Sequence, residues 1–351
     1  MTGSSALRMI GLAVLLPLAG MASAQRASAP TTLRVEPPFT DEKSKPATNL
    51  SGMACAPPVA DGGRLCLAVD DEGSHAQWVE MAGDRLIPGG KVTLAPVPRT
   101  ATAATSTRCP GGVAPAGKRD VDGEAVAYAA PYWYVIGSHG CARKKRTFSP
   151  PAFMVYRVIA RAQSSEAASS AVAAALREIR PVSDYAERAL DANGVTIEGL
   201  AVSGGRLIVG LRAPVAGAAY ILEVDLSGAF GGSRKPASPR LVRTALGADA
   251  GIRDMATLPD GRLLVLAGAA QEQTIPYSLH LVVPATGHAI PVPGWSRAGG
   301  TDAAKAEGLV VLEADAHRAK VVVLYDGPAN GGPELASVEL PSAAAPNRRA
   351  D

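Results

Sequence analysis

The chain has 351 residues, with 35 Lys and Arg against 32 Asp and Glu and a formal net charge of +3. This balance excludes the strongly basic surface on which many proteins bind nucleic acid. The length would allow two domains, but all-β folds of this size often form one.

The N-terminal stretch is typical of a signal peptide. Arg8 is followed by the apolar run Met9–Gly20 and by the small-residue site Ala22-Ser23-Ala24, so we predict residues 1–24 as the signal peptide, with cleavage before Gln25. The apolar run is shorter than the roughly 20 residues that a transmembrane helix needs. Export to the periplasm or the medium is therefore favoured, with a retained anchor as the alternative, and the mature chain has a net charge of about +2.

Four cysteines, Cys55, Cys66, Cys109 and Cys141, follow in the exported part of the chain. Cysteines of exported proteins normally form disulfides, and three pairings are possible. Cys55 and Cys66 flank a turn rich in Pro and Gly and would face each other across a hairpin, which leaves Cys109 for Cys141. A zinc site is disfavoured, because the sequence has no Cys-x-x-Cys or His-x-x-x-His pair.

Five segments repeat one strand–turn–strand pattern. Each has a polar residue, a small residue, a short apolar strand, a turn rich in Gly, Pro or Asp, and a second apolar strand. The segments are residues 50–72, 121–140, 196–214, 251–269 and 305–327. In three segments the polar ends are 14 residues apart, as in Glu198 and Arg212, and a shared spacing of this kind indicates a true repeat.

Further strand-like runs lie between these hairpins. They are Ala76–Glu80, Lys91–Leu94, Phe153–Ile159, Tyr220–Leu226, Leu241–Thr244, Leu279–Val283 and Leu335–Leu340. Two more strands per repeat make the four-stranded blade of a β-propeller. The sequence therefore predicts an all-β propeller of five blades over residues 25–342, with a sixth, degenerate blade within residues 75–120 as the alternative.

The last repeat lacks a fourth strand, and Thr32–Val35 can supply it from the N-terminus and close the ring. A helix is predicted over Glu166–Glu178, an Ala-rich run of good helix formers, with an insertion beside a strand as the alternative. Residues 100–118 are expected to form a long loop pinned by Cys109, and residues 343–351 a disordered tail.

The polar ends of the repeats are expected to gather at one mouth of the central channel. The first two strands of a blade run antiparallel, so the start of the first lies beside the end of the second. The residues placed at this mouth are Ser51, Asp70, Asp71, Glu124, Ser138, His139, Glu198, Arg212, Arg253, Asp254, Glu307 and Asp326.

Converging carboxylates suit Ca²⁺, which takes about six to eight oxygen ligands. His139, Arg212 and Arg253 are the predicted catalytic residues, because arginines hold phosphate or carboxylate groups and a histidine transfers protons. The alternative is structural, with each acid paired to an Arg or to backbone amides of the next blade. The predicted metal ligands are Glu124, Glu198, Asp254 and Glu307.

Six short motifs recur at the ends of the repeats. They are Asp122-Gly-Glu-Ala-Val, Gly137-Ser-His-Gly, Ile197-Glu-Gly-Leu-Ala, Gly210-Leu-Arg-Ala-Pro, Gly251-Ile-Arg-Asp-Met and Lys305-Ala-Glu-Gly-Leu. Together they resemble an exported bacterial family known only as a domain of unknown function with a predicted propeller fold. A more distant similarity, to esterase-like phytase and SdiA-regulated propellers, implies a calcium-assisted phosphoester hydrolase. Ser51 and Gly268 depart from that pattern.

Two functions follow from these predictions. The first is a metal-assisted hydrolase of phosphorylated or other anionic small molecules. The alternative is a non-catalytic propeller that binds a ligand or a protein partner on the same face, because propellers host both. Neither a nucleic-acid partner nor a stable membrane span after signal cleavage is expected.

Overall fold

Strands dominate the structure, a computed structural model that describes residues 29–94, 109–114, 120–142, 145–231, 239–300 and 304–342, together with Met1. The predicted signal peptide and C-terminal tail lie outside these ranges, as does most of the predicted loop over residues 100–118. Within them, the strands form five sheets, each with an innermost strand followed outward by three more, and one sheet has an additional short strand at its outer edge.

The chain begins with two short strands, β1 (Thr31–Thr32) and β2 (Arg34–Val35). The first blade then consists of β3 (Leu50–Cys55), β4 (Arg64–Asp70), β5 (His75–Ala82) and β6 (Arg85–Thr93). The second blade consists of β7 (Gly123–Ala129), β8 (Tyr132–Gly137), β9 (Val155–Ile159) and β10 (Ala167–Ser169).

The remaining three blades follow in chain order. The third consists of β11 (Thr196–Ser203), β12 (Arg206–Ala213), β13 (Ala219–Asp225) and β14 (Arg240–Thr244). The fourth consists of β15 (Ala250–Thr257), β16 (Leu263–Ala269), β17 (Tyr277–Val283) and β18 (His288–Arg297). The fifth consists of β19 (Lys305–Ala314), β20 (Arg318–Asp326), β21 (Glu334–Glu339) and the N-terminal β1.

Helical segments connect the strands. The α-helices are α1 (Ala171–Glu178) and α2 (Leu226–Phe230). The 3₁₀ turns are Pro150–Phe153, Val182–Tyr185, Leu190–Ala192 and Ala329–Gly331. No helix in the described part of the chain is long and apolar enough to cross a membrane.

The five inner strands follow one another around the channel, and β19 contacts β3 to complete the ring. The prediction of a five-bladed all-β propeller is thus confirmed. Residues 75–94, in which a sixth blade was the alternative, instead form the outer strands of the first blade.

Both faces of each blade are buried, which explains the nearly continuous apolar runs in the sequence. In β16, Leu264 and Leu266 belong to the cluster between the fourth and fifth blades. Leu263 and Val265, which alternate with them, belong to the cluster between the third and fourth blades. Strands that are covered on both faces lose the polar alternation of a half-exposed sheet.

The N-terminal segment closes the ring, but it divides between two blades. Thr31 pairs with Leu335 of β21, whereas Arg34 pairs with Arg85 of β6 in the first blade. Leu33, between them, is buried, so the segment crosses at an apolar anchor. The closing strand predicted as Thr32–Val35 is therefore correct in part, since only its first residue lies in the last blade.

The helix predicted over Glu166–Glu178 is wrong in its first third. Ala167–Ser169 is β10, which pairs with β9, and the helix begins at Ala171. The edge of β9 binds this segment by strand hydrogen bonds, and tertiary pairing of this kind overrides the helix preference of an Ala-rich run.

Both expected disulfides are present. Cys55 and Cys66 are directly paired residues of β3 and β4, and their disulfide crosses the hairpin. The second disulfide joins Cys109 to Cys141, in the loop after β8. Disulfides are typical of exported proteins.

Candidate functional site

Each inner hairpin contains a β-bulge near the start of its inner strand. In the third blade, Ile197 pairs with Leu211 and Gly199 with Gly210, so Glu198 is skipped. Such a bulge re-aims the skipped side chain. The bulge residues of the five blades are Ser51, Glu124, Glu198, Arg253 and Glu307.

The fourth blade differs from the sequence alignment by one residue. Asp254 was expected to match the other acids, but it pairs with Leu266, and the skipped residue is Arg253. The turn of this hairpin, residues 258–262, is longer than the two-residue turn of the third blade, Gly204-Gly205. Because the spacing in the sequence is 14 residues in both hairpins, the alignment did not reveal that the bulge lies one residue earlier in the fourth blade.

Arg253 lies between carboxylates of the two neighbouring blades. Its Nε is 2.8 Å from Oε2 of Glu198, an ion pair without hydrogen-bond geometry, and its Nη2 donates to Oε1 of Glu307. Glu198 Oε1 in turn accepts a 2.6 Å hydrogen bond from Arg212 Nη1. Together the four side chains form a continuous ion-pair chain across the third, fourth and fifth blades, and all four are buried.

The buried charges of this chain shift each other's pKa values. Burial alone would lower the pKa of Arg253, but the charges of Glu198 and Glu307 outweigh it and raise that pKa. Burial raises the pKa of Glu307 to about 7, against the opposing effect of Arg253. The guanidinium of Arg253 therefore stays charged, whereas Glu307 titrates near neutral pH.

Asp254 binds the backbone of the neighbouring inner strand. Its Oδ1 accepts from the Met255 N–H and its Oδ2 from the Leu309 N–H of β19, each at 2.7 Å. The side chain is 1 % exposed, and this burial raises its pKa well above the usual range, although the N–H groups of Leu309, Met255 and Leu200 lower it in part. Asp254 thus joins the inner strands of neighbouring blades.

Beyond Asp254, the inner strands carry mostly apolar side chains. A cavity of about 120 Å³ is lined there by the later residues of the inner strands, among them Leu200, Met255 and Leu309. Since Asp254 binds these same three residues, its carboxyl lies between the mouth and the cavity.

Glu124, in contrast, has no internal partner. Its side chain is only 9 % exposed, and among the described residues its carboxyl makes neither a hydrogen bond nor an ion pair. Burial raises the pKa of Glu124 well above the usual range, and the charges of Asp122, Glu198, Asp71 and Glu307 raise it further. The carboxyl therefore faces other acids rather than a base.

Asp71, which follows the second strand of the first blade, is in a similar position. Its Oδ1 is buried without a hydrogen-bond partner. Burial raises the pKa of Asp71 to about 8, with Glu307 and Asp122 as the strongest charged neighbours. Burial also raises the pKa of the adjacent Asp70 to about 6. We call the group formed by Asp71, Asp122, Glu124 and Glu307 the acidic mouth.

His139 has different contacts from the residues of the ion-pair chain. Its Nδ1 lies 2.8 Å from the Gly137 carbonyl, its ring packs against Phe153, and its buried Nε2 has no partner. Burial lowers the pKa of His139 to about 4. Thus the structure connects Glu198, Arg212, Arg253 and Glu307 through ion pairs, and it places the His139 ring beside the aromatic cluster of the Cys109–Cys141 loop.

Two further residues of the mouth were not among the predicted site residues. Asp122 accepts a hydrogen bond from Ser138 Oγ and has a φ of 50°, a conformation that Asp tolerates better than most residues. An Asp directly before the Gly123-Glu124 bulge was the available sequence signal. Lys305 forms a 2.7 Å ion pair with Asp326, so this acid has a basic partner.

A metal site was also expected here. In the ranges that the structure describes, no group of three or more His, Cys, Asp or Glu side chains is arranged to hold a metal ion. Both oxygens of Glu198 face arginines, and both oxygens of Asp254 accept backbone N–H groups. The Ca²⁺-ligand roles of the four acids stay a prediction.

Comparison with known proteins gives the family. The model of a family described as "Protein of unknown function (DUF3616)" matches residues 156–334, which is half of the chain. The chain belongs to the DUF3616 family. No curated protein matches this DUF3616 member.

Solved structures similar to this DUF3616 member include several enzymes. The α-L-arabinofuranosidase PaAbf62A from Podospora anserina is 11 % identical over 90 % of this chain and 99 % of its own, with a TM-score of 0.44. Zg3597, a family 117 glycoside hydrolase from Zobellia galactanivorans, is 9 % identical over 90 % of each chain (TM-score 0.45). The calcium-binding protein regucalcin from Agrobacterium tumefaciens is 11 % identical over 89 % and 97 % (TM-score 0.38). Similarity at this level carries no argument about function.

Proposed function

We propose that this protein is a ligand-binding propeller whose acidic mouth binds a positively charged group. The observation that carries the proposal is the carboxyl of Glu124, which is nine-tenths buried and has no internal partner among the described residues. An isolated buried carboxylate is costly, and a cation placed beside it offsets that cost.

The distribution of charge around the channel supports a cation. In the third to fifth blades, Arg212, Arg253 and Lys305 neutralise the acids at the mouth. Around Glu124 and Asp71, the strongest charged neighbours are all acidic. Among the described residues, the carboxyls of Glu124 and Asp71, which have no ion-pair partner, therefore lie on the side of the first two blades, where a ligand would supply positive charge.

The anionic ligand expected from the sequence fits this geometry less well. That expectation required free guanidinium groups on Arg212 and Arg253, and both groups pair with buried carboxylates. An anion would have to displace Glu198 or Glu307, and separating one partner from a buried ion pair costs about 3–5 kcal/mol. A cation can enter without breaking either pair.

Isothermal titration calorimetry at pH 8 and low salt tests the proposal. The titrants are CaCl₂ and 1,4-diaminobutane, and the proteins are the wild type, Glu124→Gln, and Glu187→Gln as a control at an exposed position. We expect saturable binding of at least one cation, weakened tenfold or more in Glu124→Gln and unchanged in Glu187→Gln. Absence of binding by both cations contradicts the proposal.

A second candidate is a metal-assisted hydrolase of phosphorylated or other anionic small molecules. It is favoured by the carboxyls that titrate near neutrality, since burial raises the pKa of Glu307 to about 7 and that of Asp71 to about 8. Acids with such pKa values can donate and accept protons at pH 7, as general acid–base catalysis requires.

A panel of phosphomonoesters and phosphodiesters, assayed with Ca²⁺ and with EDTA, tests this candidate. Turnover that EDTA and Glu124→Gln both abolish would support it. If the wild type hydrolyses none of the esters in either condition, the hydrolase candidate is wrong and the ligand-binding proposal is unaffected.

A further inference from the structure

We infer that the positively charged group bound at the acidic mouth is a guanidinium, seated between Glu124 and Asp71. The inference rests on the proposed function and names its ligand class. It starts from the buried Glu124 carboxyl, which has no partner among the described residues, and from the way the other bulge carboxylates are neutralised.

Both of the other bulge carboxylates pair with guanidinium groups. Glu198 faces Arg212 through Oε1 and Arg253 through Oε2, and Glu307 accepts from Arg253. Arg253 reaches two blades at once, because a guanidinium is planar and has donors in several directions. The spacing of neighbouring bulge residues therefore accommodates a guanidinium, which the protein itself supplies in the fourth blade.

Among the described residues, no guanidinium pairs with Glu124, the acid at the bulge position of the second blade. Asp71 belongs to the first blade and is among the charged neighbours of Glu124, and Glu307 is a charged neighbour of both. A guanidinium from solution would thus meet two carboxyls from adjacent blades, as Arg253 does on the other side of the channel. A guanidinium can bridge two carboxyls in this way because its donors point in several directions.

A metal ion has fewer free oxygens to use. Ca²⁺ takes about six to eight oxygen ligands, whereas the oxygens of Glu198 and Asp254 are already engaged by arginines and by backbone N–H groups. A guanidinium needs only the carboxyls of Glu124 and Asp71. The mouth is also limited in depth, because Asp254 lies between it and the cavity, so we expect the cationic head to enter and the rest of the ligand to stay outside.

A matched set of small cations tests the inference. Butylguanidinium, butylammonium and Ca²⁺ are titrated calorimetrically at pH 8 into the wild type, Glu124→Gln, Asp71→Asn and the exposed control Glu187→Gln. We expect butylguanidinium to bind at least tenfold more tightly than butylammonium. Glu124→Gln and Asp71→Asn should each weaken it tenfold or more, and Glu187→Gln should not.

Thermal unfolding of the same variants separates loss of the site from loss of the fold. Replacing an unpaired buried carboxyl by an amide removes an uncompensated charge, so Tm of Glu124→Gln should equal or exceed that of the wild type. A variant that keeps its Tm and loses butylguanidinium binding has lost the site alone.

The outcomes distinguish the inference from the proposed function. If Ca²⁺ or butylammonium binds as tightly as butylguanidinium and depends on Glu124, the guanidinium inference is overturned and the cation site stands. If butylguanidinium binds equally well to Glu124→Gln and Asp71→Asn, the location is overturned. If no cation binds the wild type, both proposals fail.

Discussion

Arg253 and Asp254 are adjacent in sequence and hold neighbouring blades together in different ways. Arg253 forms ion pairs with the acids of the third and fifth blades, whereas Asp254 binds backbone N–H groups of Met255 and Leu309. In the third and fifth blades, a glycine takes the position of Asp254. Those two blades therefore have no side chain at this position that could bind backbone N–H groups.

Removal of the Asp254 carboxyl is expected to destabilise the ring. In Asp254→Ala at least two buried N–H groups lose their acceptor, and each costs about 1–3 kcal/mol, so we expect the free energy of unfolding to fall by about 2–6 kcal/mol. Urea denaturation measures the change. Asp84→Asn, which removes an exposed ion pair with Arg34, is the control and should cost less than about 1 kcal/mol. A similar small cost for Asp254→Ala would contradict this role.

His139 is expected to make stability depend on pH in acid. Its pKa is about 4 in the folded protein and near 6.5 in the unfolded chain. Between pH 6.5 and 4, the unfolded chain therefore binds a proton at this histidine that the folded protein does not. As pH falls through this window, the contribution of His139 to stability decreases by up to about 1.4 kcal/mol per pH unit. Asn suits the left-handed backbone at this position (φ of 54°), so His139→Asn is a conservative replacement.

The measurement is urea denaturation of both proteins at pH 4.5 and 6.5. Because buried carboxyls with raised pKa values act in the opposite sense, the two proteins are compared with each other, and acidification should change the free energy of unfolding more favourably in His139→Asn than in the wild type. Equal changes in the two proteins would show that His139 does not titrate as expected.

At the scale of strands and hairpins, the sequence predicted what depends on local pattern. The apolar runs and Gly-rich turns identified the five inner hairpins, because strands buried on both faces carry little else. The sequence placed the four acids and the arginines at the ends of these hairpins, and the structure connects Glu198, Arg212, Arg253 and Glu307 through ion pairs, whereas their functional roles stay predictions. The ion pairs between blades could not be assigned to particular partners, because they connect residues more than 50 positions apart, as Arg253 and Glu307 do, whereas Glu198 and Arg212 are 14 positions apart within one hairpin.

Features decided by tertiary context were predicted less well. The Ala-rich residues of β10 form a strand only because the edge of β9 is available to pair with them. Strand β18, with two prolines among its ten residues, lacked a strand signature. The hairpin of β15 has a longer turn and fewer paired residues between bulge and turn than the hairpin of the third blade. The same 14-residue spacing therefore pointed to Asp254, although the bulge residue is Arg253.

The closing N-terminal segment is expected to stabilise the whole ring. Phe39, which follows β1 and β2, is fully buried in the cluster that joins the first and last blades. Phe39→Ala should lower the free energy of unfolding by about 3–5 kcal/mol, measured by urea denaturation. Phe230→Ala, at a partly exposed position of α2, is the matched control and should cost less. A separate early transition in Phe39→Ala would show that only the segment frays.

For the molecule as a whole, the acidic mouth links pH, stability and ligand binding. Between pH 6.5 and 8, Asp71 and Glu307 retain protons in the folded protein that the unfolded chain has already lost, because burial raises their pKa values to about 8 and about 7. Stability should therefore fall as pH rises through this window. Affinity for a cation should rise, since deprotonation supplies the negative charge.

Thermal unfolding and calorimetry at pH 6.5, 7.2 and 8 check both trends. Asp71→Asn should show a flatter dependence of Tm on pH, because it lacks one of the two titrating groups. A Tm that rises with pH in the wild type would contradict the charge arrangement described above.

The pairing of Thr31 with Leu335 also orders folding in time. This segment is synthesised before its partner strand, which is made more than 300 residues later. Contacts of such high sequence separation form late, so a segment made before all five inner hairpins is among the last to fold. Until then the edge of β21 is open, and the same segment of a second chain can pair with it. Slow synthesis or a high local concentration of unfolded chains thus favours exchange of this segment between molecules.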